Sequence, residues 1–130
     1  MINKAGFTLI EFLVATLILM VGLLGMLTSV NVAMDKNLES VFRNEATTLA
    51  DERLMLKKAI AFASISATSA SPAWTFQSRN IRGIYKNYSV QEIVNTPTSL
   101  SKEIIINVTW HKKGTKYSHS ISSAVSTFPE

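Results

Sequence analysis

Between Glu11 and Asp35 the chain runs for 23 residues, Phe12 to Met34, without a charged side chain, and 17 of them are apolar. As an α-helix this segment spans about 35 Å, enough to cross the hydrocarbon core of a bilayer. A core helix of a small soluble domain carries an apolar stripe rather than an apolar surface all round. A cleavable secretory core is shorter, about 7–15 residues, and ends at a site with small residues. Here Asn31-Val32-Ala33 is a poor site of that kind, because Asn is large and polar at the −3 position. The segment is therefore predicted to remain in the protein as a membrane helix. The composition agrees: 17% of residues are charged, against about 25% in soluble domains.

The charges are distributed unevenly. Residues 1–34 carry only Lys4 and Glu11, residues 35–66 balance five acidic against five basic groups, and residues 67–130 hold seven basic and three acidic. The formal excess of +4 thus lies in the C-terminal half, spread without a dense run. That reads as a solvated surface rather than a nucleic-acid stripe. After Met34 the pattern turns amphipathic. Val30, Met34, Leu38, Val41, Phe42, Leu49, Leu56 and Ile60 recur at helical spacing, with Ala46 and Ala50 on or near the same face. No proline occurs before Pro72, so one continuous helix is expected from about Thr8 to Ala63. Gly22 and Gly25 are its weak points, each costing up to about 1 kcal/mol relative to Ala.

The Ser-, Ala- and Thr-rich stretch from Ser64 to Pro72 reads as a loop. Strand-like segments follow: a short Trp74-Thr75-Phe76, then Ile84 to Val94, Glu103 to Trp110 and Lys116 to Ser126. Glu103 to Trp110 alternates best, with Ile104, Ile106, Val108 and Trp110 on one side. Lys112-Lys113-Gly114-Thr115 reads as a hairpin turn in which Gly114 supplies a positive φ. A sheet this small needs an apolar surface to pack on, and the amphipathic half of the helix offers one. The fold class expected is α+β: a long N-terminal α-helix, half transmembrane and half amphipathic, on a small antiparallel sheet of three or four strands. The expected divisions are residues 1–6, 7–34, 35–66 and 67–130.

The most specific segment is Lys4-Ala5-Gly6-Phe7-Thr8-Leu9-Ile10-Glu11. It resembles the class III signal peptide of the type IV pilin superfamily. The resemblance implies that residues 1–6 are a leader and that a prepilin peptidase cuts between Gly6 and Phe7. It further implies that Phe7 becomes an N-methylated N-terminus and that the apolar helix stays in the mature protein. Glu11 is implied to pair with the N-terminal amine of a neighbouring subunit, fixing the register of assembly. Independently of any family, a carboxylate one turn inside an apolar segment marks a functional site by default. Ala5 stands where many members place Lys or Arg, and the proline that many members carry near the end of the lipid-spanning part is absent.

Within the superfamily, Arg43 to Arg53 and the Asn107-Val108-Thr109-Trp110 strand with its return strand are most similar to minor pilins of the PilV type. The lack of cysteine also separates the chain from major pilins with a C-terminal disulfide loop. The function implied is a structural subunit that primes or caps a type IV pilus. A type II secretion pseudopilin and a DNA-uptake pilin are the alternatives. The partners implied are other minor and major pilins, the prepilin peptidase/methyltransferase and the inner membrane, with the C-terminal part periplasmic before it joins the pilus. Nucleic acid is not an expected partner; a DNA-uptake role would fall to Arg79, Arg82, Lys112, Lys113 and Lys116.

No catalytic residue, metal or cofactor is expected. Without cysteine there is no thiol nucleophile and no Cys-ligated metal. His111 and His119 flank the expected hairpin and could face each other, but two His without a third ligand make a poor zinc site. Trp74, Trp110, Tyr85, Tyr88 and Tyr117 read as packing residues. Asn87-Tyr88-Ser89 and Asn107-Val108-Thr109 match the glycosylation pattern only as short motifs.

Overall fold

A computed structural model of the chain describes residues 7–68 and 72–128. Helix α1 spans Leu9–Lys58 and is followed by a single 3₁₀ turn at Phe62–Ser64. Four strands complete the chain: β1 Trp74–Ile81, β2 Ile84–Thr98, β3 Ser101–Lys112 and β4 Thr115–Ser126. The residues fall into two compact units, Met1–Leu38 and Glu39–Glu130.

The first unit is helical, and its large apolar side chains are exposed along the whole described length, from Phe7 at 74% to Met34 at 62%. Helix α1 is long and apolar enough to cross a membrane, and none of that apolar window is buried within the chain. The few polar side chains here bond to their own helix. Thr16 Oγ1 donates to the carbonyls of Phe12 and Leu13 at 3.0 and 2.9 Å. Thr28 Oγ1 and Ser29 Oγ donate to that of Gly25 at 2.8 and 3.1 Å. Hydroxyls satisfied in this way can enter hydrocarbon without leaving an unpaired donor.

In the second unit the strands form one antiparallel sheet in chain order, β1-β2-β3-β4. The inward row of β3, Ile104, Ile106, Val108 and Trp110, is at most 2% exposed, as its alternation predicts. Opposite it the helix buries Phe42, Ala46, Leu49 and Ala50. The small alanines let the backbone of the helix approach the sheet while Leu49 and Phe42 fill the space on either side. Tyr88 on β2 closes the layer: its Oη donates to the Phe42 carbonyl at 3.0 Å. Its ring lies 6.0 Å from that of Trp110, which in turn stacks 5.8 Å from Tyr117.

The helix stops at Lys58, short of the Ala63 expected from periodicity. No glycine or proline ends it. The Lys102 ammonium on β3 instead donates to the carbonyls of Phe62 and Ile65, at 2.6 and 2.7 Å, and sits 4.3 Å over the Phe62 ring. Ile65 is buried, and Thr68 exchanges two hydrogen bonds with Val94, so the chain after Lys58 is drawn onto the sheet. Apolar residues at both ends of the expected stripe are uncovered: Val30, Met34, Leu56 and Ile60 are all exposed.

β1 runs on to Ile81 rather than ending at Phe76. Its hairpin partner is reached through Arg82-Gly83, where both residues have positive φ, 51° and 85°. Lys113-Gly114 repeats that geometry between β3 and β4, at 49° and 82°. Two successive positive φ values define the tight turn whose twist matches the flanking strands.

Candidate assembly site at the start of the helix

Of the expected processing residues, Gly6 lies outside the described residues. Phe7 is exposed, and Thr8 and Glu11 form a closed local structure. Glu11 Oε2 accepts from the Thr8 backbone N–H and from Thr8 Oγ1, both at 2.9 Å. The Glu11 backbone N–H donates back to Thr8 Oγ1 at 3.3 Å. This is a capping box, in which a Thr before the first turn and a Glu three residues later satisfy each other's orphan donors. A cap of this kind is worth about 1 kcal/mol to the helix. The Thr8-x-x-Glu11 spacing is the signal in the sequence that points to Thr8.

The capping box fixes where the carboxylate sits. Phe7, Ile10, Val14, Ala15 and Ile18 line an open apolar groove along one helix face, and Glu11 lies within it. The one ionisable group in this part of the helix is thus held by two donors, at the first turn, inside a surface otherwise suited to lipid or to another apolar helix. A carboxylate with this placement can accept a further cation and can mark one axial position along the stripe.

Among its described residues the sheet unit offers no comparable site. His111 pairs across from Lys116, and His119 across from Val108, so the two imidazoles lie on opposite faces rather than against each other. Among the described residues no group of three or more His, Cys, Asp or Glu could hold a metal ion. The basic residues do not form one patch. Arg79 faces the helix and pairs with Glu45 at 3.7 Å and with Glu52, whereas Lys116 lies on the opposite face, 6.0 Å from the Trp74 ring. Arg53 and Lys57 on the helix pair with Glu92 on β2, at 3.6 and 3.0 Å. The polar contacts between helix and sheet therefore account for much of the charge that the sequence left unassigned.

A helix long and apolar enough to cross a membrane thus opens with a Thr–Glu capping box and, further along, packs on a four-stranded sheet in an α+β unit. Residues 1–27 match the family model described as the prokaryotic N-terminal methylation motif. These residues carry the class III signal peptide of type IV pilins. No curated protein and no solved structure matches it.

Proposed function

We propose that this chain is a minor pilin, a structural rather than catalytic subunit that primes or caps a type IV pilus after prepilin peptidase cleavage. In this reading the peptidase cuts between Gly6 and Phe7, the new Phe7 amine is methylated, and Glu11 receives the amine of a neighbouring subunit. The observation that carries it is the methylation motif placed directly before a helix whose apolar side chains find no cover within the chain. Such a surface is stable in lipid and equally stable against other apolar helices. Subunits can therefore be stored in the inner membrane, with the sheet in the periplasm, and then drawn into a filament.

An ion pair in such surroundings recovers its desolvation cost only with good geometry. Glu11 therefore acts on register more than on affinity, and Thr8 pre-positions it. Mass spectrometry of the native N-terminus tests the cleavage: methylated Phe7 is expected, and an intact Met1 would refute it. Glu11→Ala should insert into the membrane normally and enter filaments poorly. Normal incorporation of that variant would remove the register role.

A further inference from the structure

We propose that the sheet of one copy continues into the sheet of the next, with β4 of one chain pairing antiparallel with β1 of its neighbour. In a two-residue hairpin the residues flanking the turn exchange both backbone hydrogen bonds, and bonded and non-bonded pairs alternate from there. Lys112↔Thr115 flanks the second hairpin. It follows that Lys116, Ser118, Ser120, Ser122, Ala124 and Ser126 turn their backbone N–H and C=O groups away from β3, towards the open edge. Five of these six side chains are small, and one is charged. β4 contains no proline, and its pairing with β3 shows no register shift over 12 residues. Soluble proteins usually protect an edge of this length with charges, prolines or bulges.

The opposite edge is complementary. By the same count from Ile81↔Ile84, the outward backbone groups of β1 belong to Trp74, Phe76, Ser78 and Asn80. Trp74 and Phe76 are 41% and 79% exposed. In an antiparallel sheet of four strands the first and last run in opposite directions. A sideways step of one copy, with the rotation that continues the sheet's twist, therefore pairs them antiparallel. Along the existing rows, Phe76 shares a row with Ser89, Thr109 and Ser118. A purely lateral step brings Phe76 of the neighbour opposite Ser118, and Trp74 of the neighbour opposite Ser120. Each large exposed ring then meets a serine.

A β4-to-β4 contact about a two-fold axis would instead reverse the sheet-bound helix segment in one copy. The sideways step turns it only by the twist of the sheet and avoids that reversal, as subunits delivered from one membrane require; in this respect the inference rests on the filament reading. An eight-residue strand pair is weak alone, so it forms where a membrane or filament already holds the copies together.

The test traps the contact in membranes of cells producing the full chain, whose lack of cysteine leaves no background thiol. A chain carrying both Phe76→Cys and Ser118→Cys should give a ladder of disulfide-linked oligomers on mild oxidation, because paired strand positions about 5.5 Å apart suit a disulfide. Each single variant should stay monomeric. Adding Ser120→Pro should return the ladder to background, since that N–H faces the open edge and the β3–β4 ladder survives its loss. Dimers from Ser118→Cys alone, no ladder from the double variant, or a ladder unaffected by Ser120→Pro would each overturn the proposal. The N-terminal mass of the same sample reads processing separately. A Phe7 N-terminus without a ladder removes the edge contact and leaves the pilin reading standing.

Discussion

Helix α1 is one element with two kinds of surface. In the first unit the large apolar residues are exposed; in the second, four residues of the same helix, Phe42, Ala46, Leu49 and Ala50, are buried under the sheet. The more apolar part is the uncovered one. Hydrophobicity therefore does not decide burial within this chain; the presence of a partner does. An uncovered apolar surface of this extent calls for a partner outside the chain, whereas the buried stripe has already found its own.

Two leucines make the difference measurable. Leu49 is fully buried and Leu24 is 63% exposed. Leu49→Ala should destabilise the sheet unit by about 2–5 kcal/mol, the usual cost of a core Leu→Ala change. Leu24→Ala should leave the same unfolding transition within about 0.5 kcal/mol, as exposed positions usually do. Denaturant titration of both variants in detergent, followed by Trp fluorescence of the sheet, checks this. Equal losses would mean that the apolar half is covered within the chain after all.

The sequence disclosed the two regions unequally. The membrane segment needs no partner to be recognised, because its length and lack of charge are local properties. The inward row of β3 was legible for a related reason, since alternation writes the burial into the strand itself. The end of α1 was not legible, because the segment after Lys58 is held on the sheet by Lys102, forty residues beyond Phe62, which binds the carbonyls of Phe62 and Ile65. Nor was the full length of β1. Its second half begins with the polar and charged Gln77 to Asn80, and it is a strand because the Arg82-Gly83 turn folds it back residue by residue onto β2, with Ile81 buried and Arg79 reaching Glu45 and Glu52 on the helix. At the candidate site, Glu11 stood out because a carboxylate is costly in an apolar run. Thr8 did not stand out by its own chemistry; only its three-residue spacing to Glu11 marks it.

Glycines sharpen the contrast at a smaller scale. Gly114 has φ +82°, where a side chain is strained whatever the space around it. Gly114→Ala should therefore cost the sheet unit about 1–2 kcal/mol through the left-handed backbone conformation alone. Gly25 lies in the exposed half of the helix, and a Cβ there meets nothing within 4 Å. Gly25→Ala should leave the sheet unit unchanged and firm the helix by up to about 1 kcal/mol. Thermal unfolding reads the first, and helical circular dichroism in detergent reads the second. A loss of filament incorporation in Gly25→Ala, with the monomer intact, would show that this glycine serves a helix neighbour.

In the second unit the ion pairs between helix and sheet can be tested as well. Glu92 is 24% exposed and bridges Arg53 and Lys57. Glu92→Gln should cost no more than about 1 kcal/mol, because partly exposed pairs are screened and gain little net energy. The deficit should shrink in high salt. A loss several times larger, insensitive to salt, would mean that packing around Glu92 rather than its charge holds the helix against β2.

The last contrast belongs to Tyr88, and its ionisation tells only in alkaline solution. Burial, and secondarily the Glu45 carboxylate, push the Tyr88 phenol up to about 12, while in the unfolded chain it ionises near its usual value of about 10. Between those values the unfolded state has lost the proton and the folded state keeps it. Stability is therefore complete below about pH 10 and falls as pH rises towards 12. Tyr88→Phe keeps the ring against Trp110 and removes the ionisable group. It should be less stable than the parent at neutral pH, through the lost bond to the Phe42 carbonyl, and its stability should decline less between pH 10 and pH 12. Denaturation midpoints measured over that window separate the two curves. Parallel curves would show that Tyr88 ionises in the folded protein as easily as in water, and that the helix does not seal this edge of the sheet.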